Sequence, residues 1–173
     1  MSDWKAKRFW KDAAVVAVED GFTVELDGRR VKTPAKRLLT LPTRAMADAV
    51  AAEWQAQEKQ IDPRTMPVTK TANAAIDKVA VQKAEVVDML AAYGDSDLLC
   101  YRADSPEELV ARQAAQWDPM LDWAAETLGV RLEPRQGIMH APQTPEALAE
   151  LHRRAARLVA FELAAFHDIV SLT

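Results

Sequence analysis

The chain has 173 residues, 49% of them hydrophobic and 28% charged, with a net charge of −4 and a pI of about 5.4; this balance excludes global disorder and leaves enough apolar material for a core. Its single cysteine, Cys100, excludes an internal disulfide and any zinc site built on several thiolates, and it fits a reducing compartment. No apolar run approaches the roughly 20 residues of a membrane helix, and the opening MSDWKAKRFWKD lacks an apolar h-region, so a soluble, cytoplasmic protein without membrane insertion is expected.

The charge is unevenly spread. Residues 1–37 carry nine Lys or Arg against six Asp or Glu, and the rest carry 13 against 20, so two segments with different surfaces are expected.

Residues 13–41 read as β structure. AVVAV (14–18) precedes Glu19-Asp20-Gly21, and FTVEL (22–26) alternates Phe22, Val24 and Leu26 against Thr23 and Glu25. Asp27-Gly28 then predicts a hairpin into RRVKT (29–33), because both turn residues must accept positive φ. Pro34 ends that strand and RLLTL (37–41) supplies a fourth, giving an antiparallel meander with Arg29, Lys32 and Lys36 on its outer face.

Helical periodicity begins after Pro42. Thr43 caps a predicted helix over about 44–60, with Met46, Val50 and Trp54 on one face, and Asp62-Pro63 stops it. Residues 69–92 read as one or two helices carrying Ala72, Ile76, Val79, Val86, Val87 and Leu90 as apolar positions, with Gly94 beyond; SDLLCY (96–101) is ambiguous. Ser105-Pro106-Glu107-Glu108 has the form of a capping box, and Gly129 stands where a helix should end. Between them Leu109, Gln113, Trp117, Leu121, Ala124 and Leu128 share a side, and Pro119 predicts an interruption recapped by Asp118. Thr144-Pro145-Glu146 opens a last helix whose tail, RLVAFELAAFHDIVSLT, is apolar nearly all round and therefore calls for partners to cover it. The fold class expected is α+β, with a β-rich domain over 1–41 and a helical domain over 42–173.

Catalytic patterns are absent from the sequence. It contains no phosphate-binding glycine loop, no G-x-S-x-G and no H-E-x-x-H; His140, His152 and His167 lack ligand partners three or four residues away. Cys100, between Leu99 and Tyr101, reads as a small buried residue, and Asp95-Ser96-Asp97 as turn and cap chemistry. No cofactor or metal is expected. A nucleic-acid platform built on Trp4, Phe9, Trp10 and the basic hairpin is opposed by the acidic pI. Protein binding remains, with Trp54, Met66, Trp117 and Trp123 as anchor-type residues, although Trp54 and Trp117 at helical spacing read singly as core. Asp62-Pro63 to Met66-Pro67 is a rigid crossing that suits recognition or plain helix connection. A small-molecule enzyme using Cys100 with a histidine and an acid, and a nucleic-acid binder, are the alternatives.

The strings LDGRRVKTP (26–34), LPTRAMADAVAAEW (41–54), IDPRTMP (61–67), AAIDKV (74–79), DLLCYRA (97–103) and LVARQAAQWDPMLDW (109–123) resemble the F1-ATPase assembly chaperones specific for the ATP synthase alpha subunit, the F1 complex assembly factor 2 type. The likeness runs from about Phe9 onward. It implies a non-enzymatic, ATP-independent chaperone that holds the free alpha subunit and shields its apolar interface until the beta subunit replaces it. It also implies an N-terminal β-rich domain, a C-terminal helical domain, mitochondrial location for eukaryotic members, and further helices beyond Thr173, so a C-terminally truncated chain is expected. The family's best-known functional acidic residue has no counterpart here. Trp54, Asp62, Met66, Trp117 and Trp123 are the candidate partner-binding residues.

Overall fold

The computed structural model describes residues 7–171, so Trp4, Leu172 and Thr173 lie outside the described part. The fold is α+β, as expected: a three-stranded antiparallel sheet followed by a mostly helical region. The described chain divides into two compact units. The first runs to Lys83 and takes in Val159–Asp168; the second comprises Ala84–Leu158 and the residues from Ile169 onward.

In the first unit β1 (Ala13–Val18), β2 (Gly21–Leu26) and β3 (Arg29–Arg30) pair in that order, with Val15 opposite Val24 and Glu25 opposite Arg30. Asp27 and Gly28 both hold positive φ, +48° and +78°, the conformation that a two-residue hairpin needs. The Asp27 carboxylate also accepts the backbone N–H groups of Lys11 and Asp12, which holds its pKa below the ordinary carboxylate value. The third and fourth strands are shorter than predicted. Residues 31–41 pair through isolated bridges, Lys32 with Leu38 and Phe22 with Leu41, and through single backbone bonds such as Val31 N–H to the Val24 carbonyl, because the chain turns at Pro34 and through Lys36, whose φ is +65°.

Strand β2 is buried on both faces: Val24 and Leu26 lie on one side and Thr23 on the other, its hydroxyl donating to the Leu39 carbonyl at 2.8 Å. At Gly21 φ is +140°, and a Cβ there would overlap the Leu41 carbonyl oxygen.

Helix α1 (Arg44–Gln55) starts as predicted. Extended Thr43 accepts the Met46 N–H at 3.2 Å, and Ala47, Val50 and Ala51 are buried where the helix packs on β1 and β2. Trp10 is 3% exposed and sets its ring edge-on to Trp54 at 5.2 Å. Helix α2 (Pro67–Ala74) packs on α1, and its end widens into a π-turn over Ala75–Val79.

In the second unit, α3 (Lys83–Ala92, all but its first residue) buries Val87 and Leu90. The ambiguous 96–101 segment resolves into a 3-10 turn at Leu98–Cys100 and β4 (Tyr101–Arg102), which pairs in parallel with β5 (Arg135–Gln136). Helix α4 (Glu107–Leu128) differs from expectation at two places. Its N-cap is Pro106 without a side-chain cap, the Ser105 hydroxyl being turned to Asp104; and it passes through Pro119 unbroken. Pro119 and Ala115 are both exposed, so they lie on the solvent side of the helix, where the loss of one helical hydrogen bond costs least. Gly129 closes the helix at φ +73°. Cys100, Leu121, Leu132 and Ala147 form one core cluster of this unit.

The single last helix is in fact two. Thr144 caps α5 (Pro145–Arg157), Leu158 becomes extended, and α6 (Ala160–Val170) begins with the Glu162 carboxylate accepting the Val159 N–H at 2.9 Å. The apolar tail is partly covered within the chain: Leu163 and Ala164 are buried and Phe161 packs on the first unit's core.

Candidate functional site

The crossing from α1 to α2 is tied together by three polar side chains. Gln57, 4% exposed, accepts the Asp62 N–H at 2.7 Å through Oε1 and donates through Nε2 to the Glu53 carbonyl and Thr65 Oγ1, each at 3.0 Å. Asp62 caps the 3-10 turn Pro63–Thr65 by accepting the Arg64 N–H, and its carboxylate also pairs with the Arg64 guanidinium at 2.7 Å. Glu53 receives the Val68 N–H (2.7 Å), the Thr69 N–H (2.8 Å) and the Thr69 hydroxyl (2.6 Å), so one carboxylate of α1 caps the start of α2. On the other side Arg8 donates to the carbonyls of Gln55 and Gln57 and holds the N-terminal segment to the end of α1.

Trp54 and Met66 lie in the lining of a groove of about 530 Å3, with Ile61 and Pro63 from the crossing, Pro34 from the sheet side and Ala74 from α2. Trp54 is half-buried and Met66 only 3% exposed. Lys32, Lys70 and Lys78 edge the groove, are exposed, and form no ion pair among the described residues. Asp77, the one carboxylate among the described lining residues, is occupied: Thr33 donates to it at 2.7 Å and the Ala35 N–H at 3.0 Å. Trp54 Nε1 and Asn73 Oδ1 are covered and have no hydrogen-bond partner among the described residues.

The remaining candidates belong to the second unit. Trp117 is half-buried, with the Arg102 guanidinium 5.4 Å above its ring; Arg102 in turn pairs with Asp118 at 2.8 Å. Trp123 is 56% exposed on α4, and Met120, three residues earlier, is exposed as well. Thus Trp54, Asp62 and Met66 come together in the first unit, and Trp117 and Trp123 in the second.

The residues behind the two alternative chemistries take other places among the described residues. Cys100 is 3% exposed, and burial first, then the nearby Asp97 carboxylate, pushes its thiol up, the opposite of an activated nucleophile. Asp97 caps its own turn through the Leu99 N–H, the role read from sequence, whereas Asp95 makes a long-range contact instead, accepting the Gln143 N–H. Among the described residues no group of three or more His, Cys, Asp or Glu could hold a metal ion, and no helix is long and apolar enough to cross a membrane. The aromatic platform fails at Trp10, which is core; Phe9 alone of the described pair is exposed.

Sequence reasoning missed Glu53, Gln57 and the lysine rim. Glu53 and Gln57 lie on the same stretch of chain as Trp54 and look like ordinary surface helix residues, because their partners stand 15, 16 and five positions away.

Fold and site together define an α+β protein that carries, among its described residues, an apolar groove lined in part by lysines. The chain belongs to the ATP12 chaperone protein family, which matches residues 7–125. It is 28% identical over 177 aligned residues to the mitochondrial protein atp12 of Schizosaccharomyces pombe, covering 95% of this chain and 61% of that protein's length. The crystal structure of Atp12 from Paracoccus denitrificans is 49% identical and superposes with a TM-score of 0.93 over 98% of this chain and 73% of that one. A structure from Agrobacterium tumefaciens is 45% identical, with a TM-score of 0.87 over 96% of this chain and 63% of that one.

Proposed function

We propose that the chain is an ATP-independent assembly chaperone of F-type ATP synthase, without enzymatic activity, which binds the free F1 alpha subunit and shields its interface until the beta subunit takes its place. The observation that carries the reading is the family match across residues 7–125, which spans all the strings on which the resemblance rests. The physical need is general: a subunit interface exposed before assembly is a large apolar patch, and such patches aggregate. We place the client contacts at the Trp54–Met66 groove, where Asp62 fixes the loop, and at Trp123 on α4, with Trp117 supporting that helix from its covered side. In a bacterium the protein would act in the cytoplasm.

The reading is tested by co-expressing the chain with ATP synthase alpha subunit, with and without beta. A complex that forms with alpha and dissolves when beta is supplied is the expected result; alpha that never co-purifies would refute it.

A further inference from the structure

We infer that the groove of the first unit receives a cluster of apolar side chains from an acidic segment of the client subunit, with Lys32, Lys70 and Lys78 pairing with carboxylates on either side of it. This rests on the chaperone reading above. The groove's floor comes from Trp54, Ile61 and Met66, and its volume of about 530 Å3 takes more than one side chain. The walls are already fixed by Glu53 and Gln57, so little ordering cost remains at the moment of binding.

The rim states the charge of the occupant. Among the described residues Lys32, Lys70 and Lys78 form no ion pair around the opening, in a chain whose net charge is −4, while the lining carboxylate, Asp77, is engaged by Thr33 and Ala35. Charges at a rim set partner choice and association rate, whereas the desolvated floor supplies affinity. A protein segment fits better than a nucleic acid. Among the described residues the lining has no guanidinium for bidentate phosphate contact, and its one aromatic ring is half-buried rather than offered for stacking.

The test measures binding of isolated alpha subunit to the full chain, to the double variant Lys70→Glu/Lys78→Glu, and to a matched control, Arg112→Glu/Arg157→Glu, at two salt concentrations. Both pairs of positions are exposed, so folding is retained, and thermal unfolding checks this. The lysine variant should bind at least about tenfold more weakly, mainly through slower association, with a flatter salt dependence, while the control stays near wild type. If the lysine variant binds alpha like wild type, or the control weakens equally, the groove assignment fails and the chaperone reading stands. If the unaltered chain does not bind alpha, both fall. A single-stranded oligonucleotide retained by the wild type and released by the lysine variant, with alpha binding unchanged, would assign the groove to nucleic acid instead.

Discussion

Replacing Glu53 by alanine should destabilise the first unit far more than its position on an ordinary-looking helix suggests. The carboxylate accepts two backbone N–H groups and one hydroxyl at 2.6–2.8 Å, and those backbone donors belong to the first turn of α2, where no helical carbonyl can serve them. Hydrogen bonds to a charged acceptor contribute about 1.5–3 kcal/mol each, and loss of a cap alone costs roughly 0.5–2 kcal/mol. The site is only part-buried, so water recovers some of this, and the net loss should be about 2–4 kcal/mol. In a chain of this size each kcal/mol moves the melting temperature by about 2–4 °C, so the variant should melt roughly 5–15 °C lower. Urea unfolding followed by tryptophan fluorescence reads the change, since Trp54 is the neighbouring residue. Glu53→Gln, which keeps one acceptor, should recover about half the loss, and exposed Glu58→Ala should stay within about 0.5 kcal/mol of wild type. A Glu53→Ala midpoint indistinguishable from that of Glu58→Ala would refute the capping role.

Gly21→Ala forces a Cβ against the Leu41 carbonyl at a φ that side chains rarely adopt, and should cost at least about 1–3 kcal/mol by denaturant titration. Asp27 has a lowered folded-state pKa, so its stabilisation is present above the ordinary carboxylate pKa and is lost as pH falls through the folded value; Asp27→Asn, which tolerates the same positive φ, should flatten the acid limb of the stability–pH curve. Cys100 should react with a thiol reagent only slowly in the native protein and rapidly in denaturant, and fast native labelling would contradict its burial. Trp123→Ser removes an exposed ring, so it should leave the melting temperature within about 2 °C of wild type while weakening alpha-subunit binding.

Elements governed by short-range chemistry were legible in the sequence. Asp27-Gly28 made its hairpin, Thr43 and Thr144 made their caps, and Gly129 ended α4, because each depends on residues within a few positions. Where a second local partner competed, the reading failed. The Ser105 hydroxyl turned to Asp104 and left the expected capping box unformed, and Pro119 was absorbed on the solvent side of α4. The break at Leu158 had a sign in Glu162, which bonds back to the Val159 N–H, but the apolar run around it concealed that sign. The groove was only half visible. Trp54 and Met66 stood out as residue types, whereas Lys32 and Asp77 reach the same opening through folding that brings residues 32–34 beside 73–78. Family resemblance carried the function further than any spacing of side chains did.

The central claim is tested most directly by light scattering of isolated ATP synthase alpha subunit at a temperature where it aggregates, with equimolar chain added and no nucleotide present. The account predicts that scattering is suppressed, that ATP makes no difference, and that beta subunit releases alpha into an assembled complex. Unchanged scattering at equimolar or higher chain, with the chain folded, would contradict it.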